Sequence, residues 1–423
     1  MSGKIGVGII GVGRRGYDLA ECLVRLRDTV DLELRGLCNR TIIRAKRAKE
    51  DLTQLFSPAG SAPDIRVFAD FARLIDDPRI NVVMICTPQY AHKEPALLAI
   101  RGQKKVYVDK PLAHNLEDAL AICRGQQEAG NEVIMSFTRR FEQAWIDAFD
   151  LVHRQGAIGK LRMIQVRNII PYHVYFHTWH RRMQWSGGAI ADKMSHIFDV
   201  FNWFSKDRPA KVSAFGGQAV FAADPTAPER CQLCERDCPY RVAEPRLSSS
   251  RHEGAVERGR PDAMVDHDDS RLLESEIIKR HDTCVWYPGA DIDDHGIVSI
   301  EYEHGLKASL FWSLFGPDSD DQETLELVGD KGRIILTRHS ATIDIVTDYG
   351  KTHKVLDQRT AGFGRSHFGA DDNFILELDR FAKGAPPTAS AREGLEASRI
   401  VEAVHRSIRS GGKLIPMTEV ETT

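Results

Sequence analysis

The sequence predicts a two-domain α/β protein, in which an N-terminal parallel sheet with helices on both faces precedes an α+β domain with a large, mainly antiparallel open sheet. The chain has 423 residues, more than one ordinary core holds. Up to residue 137, short apolar runs alternate with amphipathic stretches, a pattern typical of parallel strands joined by helical crossovers. Later apolar runs are separated by short polar turns, which indicates antiparallel hairpins. We therefore expect domains at residues 1–137 and 138–423.

Each predicted element is an apolar run or an amphipathic stretch. In the first domain the expected strands are residues 4–10, 32–38, 82–86, 105–108 and 132–137, and the expected helices are 17–27, 45–55, 71–75, 94–101 and 116–129. In the second domain the expected strands are 161–170, 211–220, 296–303, 307–312, 323–328, 333–337 and 341–346, and the expected helices are 188–204, 371–383 and 392–410. Residues 241–280 are polar and without periodicity, so we expect a surface loop there, within a cysteine-containing insert at about 225–290.

Charge and hydropathy exclude several classes of partner. The 57 Lys and Arg residues nearly balance the 60 Asp and Glu residues, giving a formal net charge of −3. Such a chain has no overall field that would attract nucleic acid, so a small molecule is the expected partner. No apolar run reaches the ~20 residues of a membrane-spanning helix. The apolar N-terminus lacks the charge order of a signal peptide, so we expect a cytoplasmic protein that has no membrane partner.

A glycine-rich turn follows the first predicted strand. Gly11, Gly13 and Gly16 have the spacing G-x-G-x-x-G, and Arg14 and Arg15 lie between the last two. The motif follows an apolar strand and opens a helix, which is the context that binds the pyrophosphate of a dinucleotide. The first glycine permits the tight turn, the second lets the pyrophosphate approach, and the third lets the helix pack on the sheet. We expect these five residues to bind the cofactor.

The end of the second predicted strand leaves the form of the dinucleotide open. A carboxylate at this point would hold a ribose hydroxyl of NAD, and a nearby arginine would accommodate the 2′-phosphate of NADP. The chain has Asn39 and Arg40 there. The missing carboxylate favours NADP, but an asparagine can also bind a ribose hydroxyl.

Asp109, Lys110 and Pro111 lie at the predicted carboxyl end of the strand at 105–108. Ligands of open parallel sheets bind at this edge, and a following proline restricts the backbone of the lysine. From the local sequence alone, Lys110 is either a site residue or a surface lysine at the end of a strand.

Several motifs in one order resemble the family of glucose–fructose oxidoreductase, inositol dehydrogenase and MocA across nearly the whole chain. Besides the glycine turn and residues 109–111, they are Cys86-Thr87-Pro88 with His92, and residues 136–141, 187–199, 367–371 and 394–398. The resemblance implies a Rossmann domain that binds NAD or NADP, with Thr87, Pro88, His92, Asp109 and Lys110 at the cofactor. It implies Lys110, Asp192 and His196 as catalytic residues, and a homo-oligomer, dimer or tetramer, formed through the open sheet. The family usually has glutamate where this chain has Asp109.

The predicted helix at 188–204 carries Asp192, His196, Asp199 and Trp203 at intervals of four, three and four, which places them on one face. The apolar surroundings favour the lining of a site over a solvated face. Oxidation of an alcohol releases a hydride to the nicotinamide and a proton to a base, and imidazole suits the second task. Lys110 would stabilise the alkoxide. Whether Lys110 or His196 accepts the proton stays open.

Residues 172–182 are dense in aromatic, histidine and arginine side chains. Rings stack on sugar faces and guanidinium groups bind hydroxyl or acid oxygens, so Tyr172, Trp179 and Arg181, together with Arg140, are the expected substrate-binding residues. A loop packed on the core is the alternative.

Cys231, Cys234 and Cys238 are closely spaced, and Cys284 follows the polar insert. In a reducing cytosol, four thiolates favour metal ligation over a disulfide, and four ligands without an open position suit structural zinc. Unligated cysteines and an iron–sulfur cluster are the alternatives. The insert marks a subfamily.

The preferred function is NAD(P)-dependent hydride transfer to or from a secondary alcohol or ketone of a sugar, sugar derivative or inositol. One alternative is an NAD-dependent glycoside hydrolase that works by transient oxidation, elimination and re-reduction. A second is a dinucleotide-binding regulator without catalysis.

Overall fold

The computed structural model describes residues 3–55, 64–242, 282–360 and 363–421. Its first sheet has the order β3-β2-β1-β4-β5-β6, and all of its strand pairs are parallel. The strands are β1 (Ile5–Ile10), β2 (Leu32–Cys38), β3 (Arg66–Phe68), β4 (Val82–Ile85), β5 (Lys105–Val108) and β6 (Val133–Met135). Strands β1, β4, β5 and β6 are almost wholly buried, because helices cover both faces of a parallel sheet. This strand order is the one that binds a dinucleotide where the order reverses, between β1 and β4.

Five helices connect these strands. They are α1 (Arg14–Arg25), α2 (Ile42–Gln54), α3 (Phe71–Ile75), α4 (Lys93–Arg101) and α5 (Leu116–Ala129). Asp70 and Asn115 cap the N-termini of α3 and α5 with their side chains, and Gly130, at φ +60°, ends α5 in the left-handed conformation that glycine tolerates.

The second sheet has nine strands in the order β14-β13-β12-β11-β7-β10-β9-β8-β15. The strands are β7 (Leu161–Ile169), β8 (Pro209–Gly217), β9 (His295–Tyr302), β10 (Lys307–Ser313), β11 (Glu323–Gly329), β12 (Gly332–Thr337), β13 (Thr342–Thr347), β14 (Thr352–Asp357) and β15 (Ile415–Pro416). Among the described strands of this sheet, β7 and β10 are the one pair that is parallel. Buried and exposed residues alternate along β7, β8 and β9, so one face packs on helices and the other is open. The predicted fold class is confirmed.

The remaining helices are α6 (Gln143–His153), α7 (Val174–His177), α8 (Met183–Ser186), α9 (Ser195–Ser205), α10 (Ala370–Ala382), α11 (Ala391–Arg409) and α12 (Thr418–Glu421). A capping box of Ser390 and Glu393 starts α11, which packs on α5, α9 and β8. A π-helical turn at Ile190–Met194 leads into α9. Helix α11 therefore connects the two domains behind the segment that carries Asp192.

The structure differs from the predicted elements in several places. Strands β3, β14 and β15 and helix α6 were not predicted, and α1 and α2 each begin three residues earlier than expected. Strand β8 ends at Gly217, because the amides of residues 219–221 bind the Asp294 carboxylate instead of a neighbouring strand. Most of the loop predicted at 241–280 lies outside the described residues. No helix within the described ranges combines the length and apolar character needed to cross a membrane.

Candidate active site

The glycine turn joins β1 to α1 and leaves a cradle at the helix N-terminus. Gly11 has φ +90°, and a Cβ there would lie 2.6 Å from the Thr87 nitrogen. A Cβ at Gly16 would overlap the Gly11 carbonyl oxygen, so this glycine lets α1 pack against the turn. A Cβ at Gly13 would meet no atom within 4 Å. The open space at Gly13, beside the first amides of α1, fits the pyrophosphate of a dinucleotide.

The two arginines of the turn have different surroundings. Arg14 is exposed at the start of α1. Arg15 donates to the Asp371 carboxylate of the second domain at 2.6 Å. Within the first domain it donates to Ser136 Oγ at 3.0 Å and to the Asp109 carboxylate at 3.4 Å. The predicted cofactor ligand Arg15 thus takes part in an ion-pair network that connects the turn to α10.

The other predicted cofactor residues surround the same sheet edge. Asn39 donates to the Thr41 carbonyl at 3.1 Å, and Arg40 next to it is exposed. His92 is buried, with its ring nitrogens 2.8 Å from the Thr87 carbonyl oxygen and 3.0 Å from that of Pro111. The His92 ring therefore connects the segments that follow β4 and β5. Burial lowers the pKa of His92.

Lys110 follows β5 and reaches the π-helical turn of the second domain. Its Nζ donates to the Asp192 carbonyl at 2.8 Å and to Asp192 Oδ1 at 3.2 Å. The carboxylate of the preceding Asp109 accepts a hydrogen bond from the Tyr107 hydroxyl at 2.7 Å. This bond ties the residue after β5 to a side chain of β5 itself. The structure therefore joins Lys110 and Asp192, which the sequence separates by 82 residues.

Asp192 is a buried carboxylate with several donors. Oδ2 accepts from the Tyr175 hydroxyl, and Oδ1 also accepts from Gln89 Nε2 at 3.3 Å. Burial by itself would raise the pKa of Asp192, but the charges of Lys110 and His180 and the bond from Tyr175 outweigh it and lower the pKa to about 2. Asp192 is therefore ionised at neutral pH.

His196 lies one turn further along, 5% exposed, with its ring edge-on to Phe137 at 6.1 Å. Among the described residues, no hydrogen-bond partner reaches its Nδ1. Burial, followed by the charges of Arg139, Lys110, Lys193 and Arg338, holds its pKa well below the usual range. The imidazole is therefore neutral at pH 7 and is a weak proton acceptor.

The predicted substrate residues separate into two groups. Tyr172 accepts a hydrogen bond from Lys193 at 2.7 Å, and the Trp179 ring stacks on His180 with centroids 3.8 Å apart. His180 in turn stacks on Tyr175 at 4.6 Å, so these rings form a wall beside Asp192.

Two predicted arginines do not join this wall. Arg140 forms a two-bond ion pair with Asp199 on α9, both bonds at 2.9 Å. Arg181 is 1% exposed and donates to the carbonyl oxygens of Phe176, Cys284 and Tyr287. Arg181 therefore joins the end of the cysteine insert to the segment of Phe176. Burial lowers the pKa of Arg181 to about 10.

The structure adds residues that sequence reasoning missed. Gln89, Tyr175 and His180 all lie near Asp192, and Lys193 lies beside it in the chain. Lys193 lies inside the motif of residues 192–196, so its type and position could have been noticed. The other three lie outside that motif, with Gln89 after β4 and both Tyr175 and His180 within residues 172–182. No spacing in the sequence connects them to Asp192.

The four clustered cysteines are all free thiols. An antiparallel bridge between Arg230 and Thr283 brings together the segments of Cys231 and Cys284. Cys231 Sγ lies 4.0 Å from His177 Nδ1. Within the described ranges, no group of three or more His, Cys, Asp or Glu side chains is arranged to hold a metal ion. The backbone thus pairs the segments that carry Cys231 and Cys284.

Comparison with known proteins matches both domains of this chain to one family. Residues 5–137 match the sequence profile of an oxidoreductase family with an NAD-binding Rossmann fold, and residues 154–417 match the C-terminal alpha/beta domain of that family. The chain is 26% identical over 409 residues to myo-inositol 2-dehydrogenase of Thermotoga maritima, which covers 95% of this chain and 96% of that enzyme. It is 25% identical over 262 residues to the YteT protein of Bacillus subtilis, which covers 60% of this chain and only 59% of YteT.

Solved structures share the fold over nearly the whole chain. A levoglucosan dehydrogenase in complex with NADH and levoglucosan has a TM-score of 0.71 at 16% identity, and covers 98% of this chain and 99% of its own. An NAD binding oxidoreductase from Klebsiella pneumoniae has a TM-score of 0.73 at 16% identity, with the same coverage. At such identities the similarity concerns the fold.

Proposed function

Because the chain belongs to the oxidoreductase family of glucose–fructose oxidoreductase, inositol dehydrogenase and MocA, we propose that it transfers a hydride between a nicotinamide dinucleotide and a secondary alcohol or ketone of a sugar, sugar derivative or inositol. The observation that carries the proposal is the contact of Lys110 with Asp192. It brings a cation and an ionised carboxylate to the sheet edge where the glycine turn is open.

In this proposal the bound dinucleotide supplies the hydride acceptor or donor. Gly11, Gly13 and Gly16 shape its cradle, with Asn39 and Arg40 towards the adenosine ribose and Thr87 and Pro88 along the sheet edge. The choice between NAD and NADP, whose ribose carries a 2′-phosphate, stays open. No carboxylate follows β2 directly to bind the ribose hydroxyl of NAD.

The protein's own residues orient the reacting hydroxyl. Lys110 Nζ donates to the substrate oxygen and stabilises negative charge on it. Asp192 holds Lys110 in place and, with Tyr175, offers oxygens to a neighbouring substrate hydroxyl. The rings of Tyr172 and Trp179 provide a wall on which a sugar face can stack.

A substrate screen tests the proposal. Purified protein is mixed with NAD⁺ or NADP⁺ and a panel that includes levoglucosan, myo-inositol, sugar acids and aryl glycosides, and the absorbance of reduced cofactor is followed. We expect reduced cofactor to accumulate in proportion to product. When the reaction is run in heavy water, we expect no deuterium on the carbon atoms of the product. Cleavage of an aryl glycoside without net reduction, with deuterium next to the anomeric carbon, would contradict the proposal.

We also propose that Cys231, Cys234, Cys238 and Cys284 bind a structural zinc ion. Four cysteines at this spacing suit tetrahedral zinc, and the bridge of Arg230 to Thr283 supports it by joining the two segments. We expect about one zinc per chain in protein purified without chelator. Metal analysis that finds none, in wild type as in Cys231→Ser, would contradict it.

Two further proposals concern the whole chain. The domain boundary is proposed at residues 137 and 138, between β6 and the turn that leads to α6. The open face of the second sheet is proposed to bind a second copy of the chain, because it carries an apolar patch of the exposed side chains Phe215, Ile297 and Phe311.

A further inference from the structure

A half-buried ammonium group and a phenol, those of Lys193 and Tyr172, lie near Asp192. Lys193 Nζ donates to the Tyr172 hydroxyl at 2.7 Å and lies 3.9 Å from the centre of its ring. Both side chains are half-buried. In the part of the chain that the structure describes, no carboxylate lies within ion-pair distance of Lys193. The phenol is thus the partner of this ammonium group.

The pair belongs to the same cluster as Lys110. The Tyr172 ring is edge-on to Tyr175 at 5.4 Å, and Tyr175 donates to the carboxylate that Lys110 also binds. Lys193 follows Asp192 directly in the π-helical turn. The Tyr172 ring and the Lys110 ammonium group therefore both lie beside the pair formed by Tyr175 and Asp192.

The groups around Tyr172 come from five elements. They are Lys193 in the π-helical turn, Lys110 after β5, Arg14 at the start of α1, Arg338 after β12 and the phenol of Tyr175 on α7. The charge of Lys193 is the largest influence, and with Arg14 and Lys110 it lowers the pKa of Tyr172 in spite of burial. Burial lowers the pKa of Lys193 as well.

The neighbouring groups are poor proton acceptors. Asp192 has a pKa of about 2, and cations and burial hold the pKa of His196 well below its usual range. General-base catalysis works best when the pKa of the base is near the working pH. Tyr172 is shifted towards that range, whereas Asp192 and His196 are shifted away from it.

We infer that Tyr172 and Lys193 form the acid–base pair of the proposed hydride transfer, an inference that rests on the proposed function. In the oxidation, the substrate O–H proton moves to the phenolate oxygen of Tyr172, while the C–H hydride with its two electrons goes to the oxidised dinucleotide. The products are a ketone, reduced dinucleotide and neutral tyrosine. Lys193 stabilises the phenolate, and the reduction runs the same steps in reverse.

The first test needs no substrate. Tyrosine ionisation is followed by ultraviolet difference absorbance in ligand-free wild type, Tyr172→Phe, Lys193→Met and the control Tyr349→Phe, whose ring is fully exposed. Among the nine tyrosines, we expect one to ionise at lower pH than the rest. This phase should be lost in Tyr172→Phe, move up by about one pH unit or more in Lys193→Met, and persist in Tyr349→Phe.

The outcomes of this titration are decisive. If the early phase survives in Tyr172→Phe, or does not move in Lys193→Met, the inference is wrong. Circular dichroism and thermal unfolding check that each variant is folded. If Lys193→Met fails to fold, Lys193→Arg takes its place and should retain the early phase, because it keeps the positive charge.

The second test uses the substrate with the highest turnover in the panel. We expect Tyr172→Phe to lower kcat by about 100-fold or more with KM little changed, the scale of losing a positioned general base. A rise in KM with unchanged kcat would make Tyr172 a binding residue and overturn the inference. A panel without any turnover contradicts the proposed function instead, and the titration then decides the inference by itself.

Discussion

Lys110 is the residue on which the proposed chemistry depends most directly, because it is the ammonium group in contact with Asp192 at the edge of the parallel sheet. We expect Lys110→Ala to lower turnover by about 100-fold or more while the dinucleotide still binds, since the variant loses one charged donor to the reacting oxygen. Steady-state kinetics and cofactor titration measure the two effects. Lys354→Ala, an exposed lysine on β14, is the control. Near-normal turnover in Lys110→Ala would contradict the role of this lysine.

Gly13 offers a second residue-scale prediction, because a side chain there meets no protein atom. Gly13→Val should fold with unchanged stability and yet lose at least tenfold in dinucleotide affinity, since the valine occupies the approach of the pyrophosphate. Gly217→Ala is a matched control, because its Cβ is equally unobstructed but lies at the end of β8. Fluorescence titration with NADH and NADPH measures the affinity. Wild-type affinity in Gly13→Val would refute the interpretation of the turn.

Single residues also show what the sequence could and could not predict. Motif order was sufficient to select Lys110 and Asp192, which the structure brings into contact. Their roles, with that of His196, stay predictions. Arg140 and Arg181 have the right type for a substrate site, but tertiary contacts direct Arg140 to Asp199 and Arg181 to carbonyl groups. The partners of a guanidinium group can come from any part of the fold, so the local composition of the sequence does not predict them.

At the scale of elements, the predicted helix at 188–204 shows the limit of periodicity. The regular spacing placed Asp192 and Trp203 on one face. A π-helical turn at Ile190–Met194 breaks that register, because it holds more residues per turn than an α-helix. Asp192 therefore contacts Lys110, whereas Trp203 stacks on Phe149 at 4.7 Å. Nothing in the sequence marks the turn, although such turns are frequent at functional sites.

A buried ion-pair network joins α6, β11 and the end of β12. Glu323 accepts from Arg139 and Arg338, and Arg338 also donates to Glu142. Burial would raise the pKa of Glu323, but the charges of the two arginines lower it from 4.5 to about 2. Its folded-state pKa lies below its unfolded value, so Glu323 stabilises the fold above about pH 4.5, and this contribution is lost as the pH falls towards 2.

We therefore expect Glu323→Gln to lower the free energy of unfolding at pH 7 by about 3 kcal/mol, because Arg139 stays buried without its carboxylate. The difference in the free energy of unfolding between variant and wild type should shrink as the pH falls from 4.5 towards 2. Urea unfolding at several pH values measures this. Glu326→Gln, in a half-exposed pair with Arg333 on the same sheet, should change stability little. A difference in unfolding free energy that stays constant with pH would contradict the stabilising role of ionised Glu323.

At the scale of the whole molecule, the predicted family and fold class are confirmed, and so is the class of enzyme, an NAD-binding oxidoreductase. Alternating strands and helices were sufficient for five of the six strands described in the first sheet, because each of these five is an apolar run. The three-residue β3 and the mostly exposed β14 were missed, since neither has an apolar run to mark it. The cytoplasmic location, the form of the dinucleotide and the zinc ion stay predictions.

The open face of the second sheet carries the apolar patch on which the proposed oligomer depends. Phe215 pairs with Ile297 and Ile297 with Phe311 on adjacent strands, so their exposed side chains lie side by side. Their exposed fractions are 62%, 48% and 46%. Adjacent large apolar side chains on an open sheet are typical of an interface, because isolated monomers rarely leave such patches in water. The patch lies on the face opposite to helices α9 and α11, which pack on β7 and β8.

We expect Phe311→Lys to convert the dimer or tetramer proposed for the wild type into smaller species, because it places a charge within the patch. Sedimentation velocity over a range of concentrations measures the assembly state. Lys354→Glu, on the edge strand β14 away from the patch, should leave it unchanged. The substitution is on the exposed face, so the far-ultraviolet circular dichroism of the variant should match that of wild type. A wild-type protein that sediments as a monomer, or a Phe311→Lys variant that assembles as wild type does, would contradict the interface.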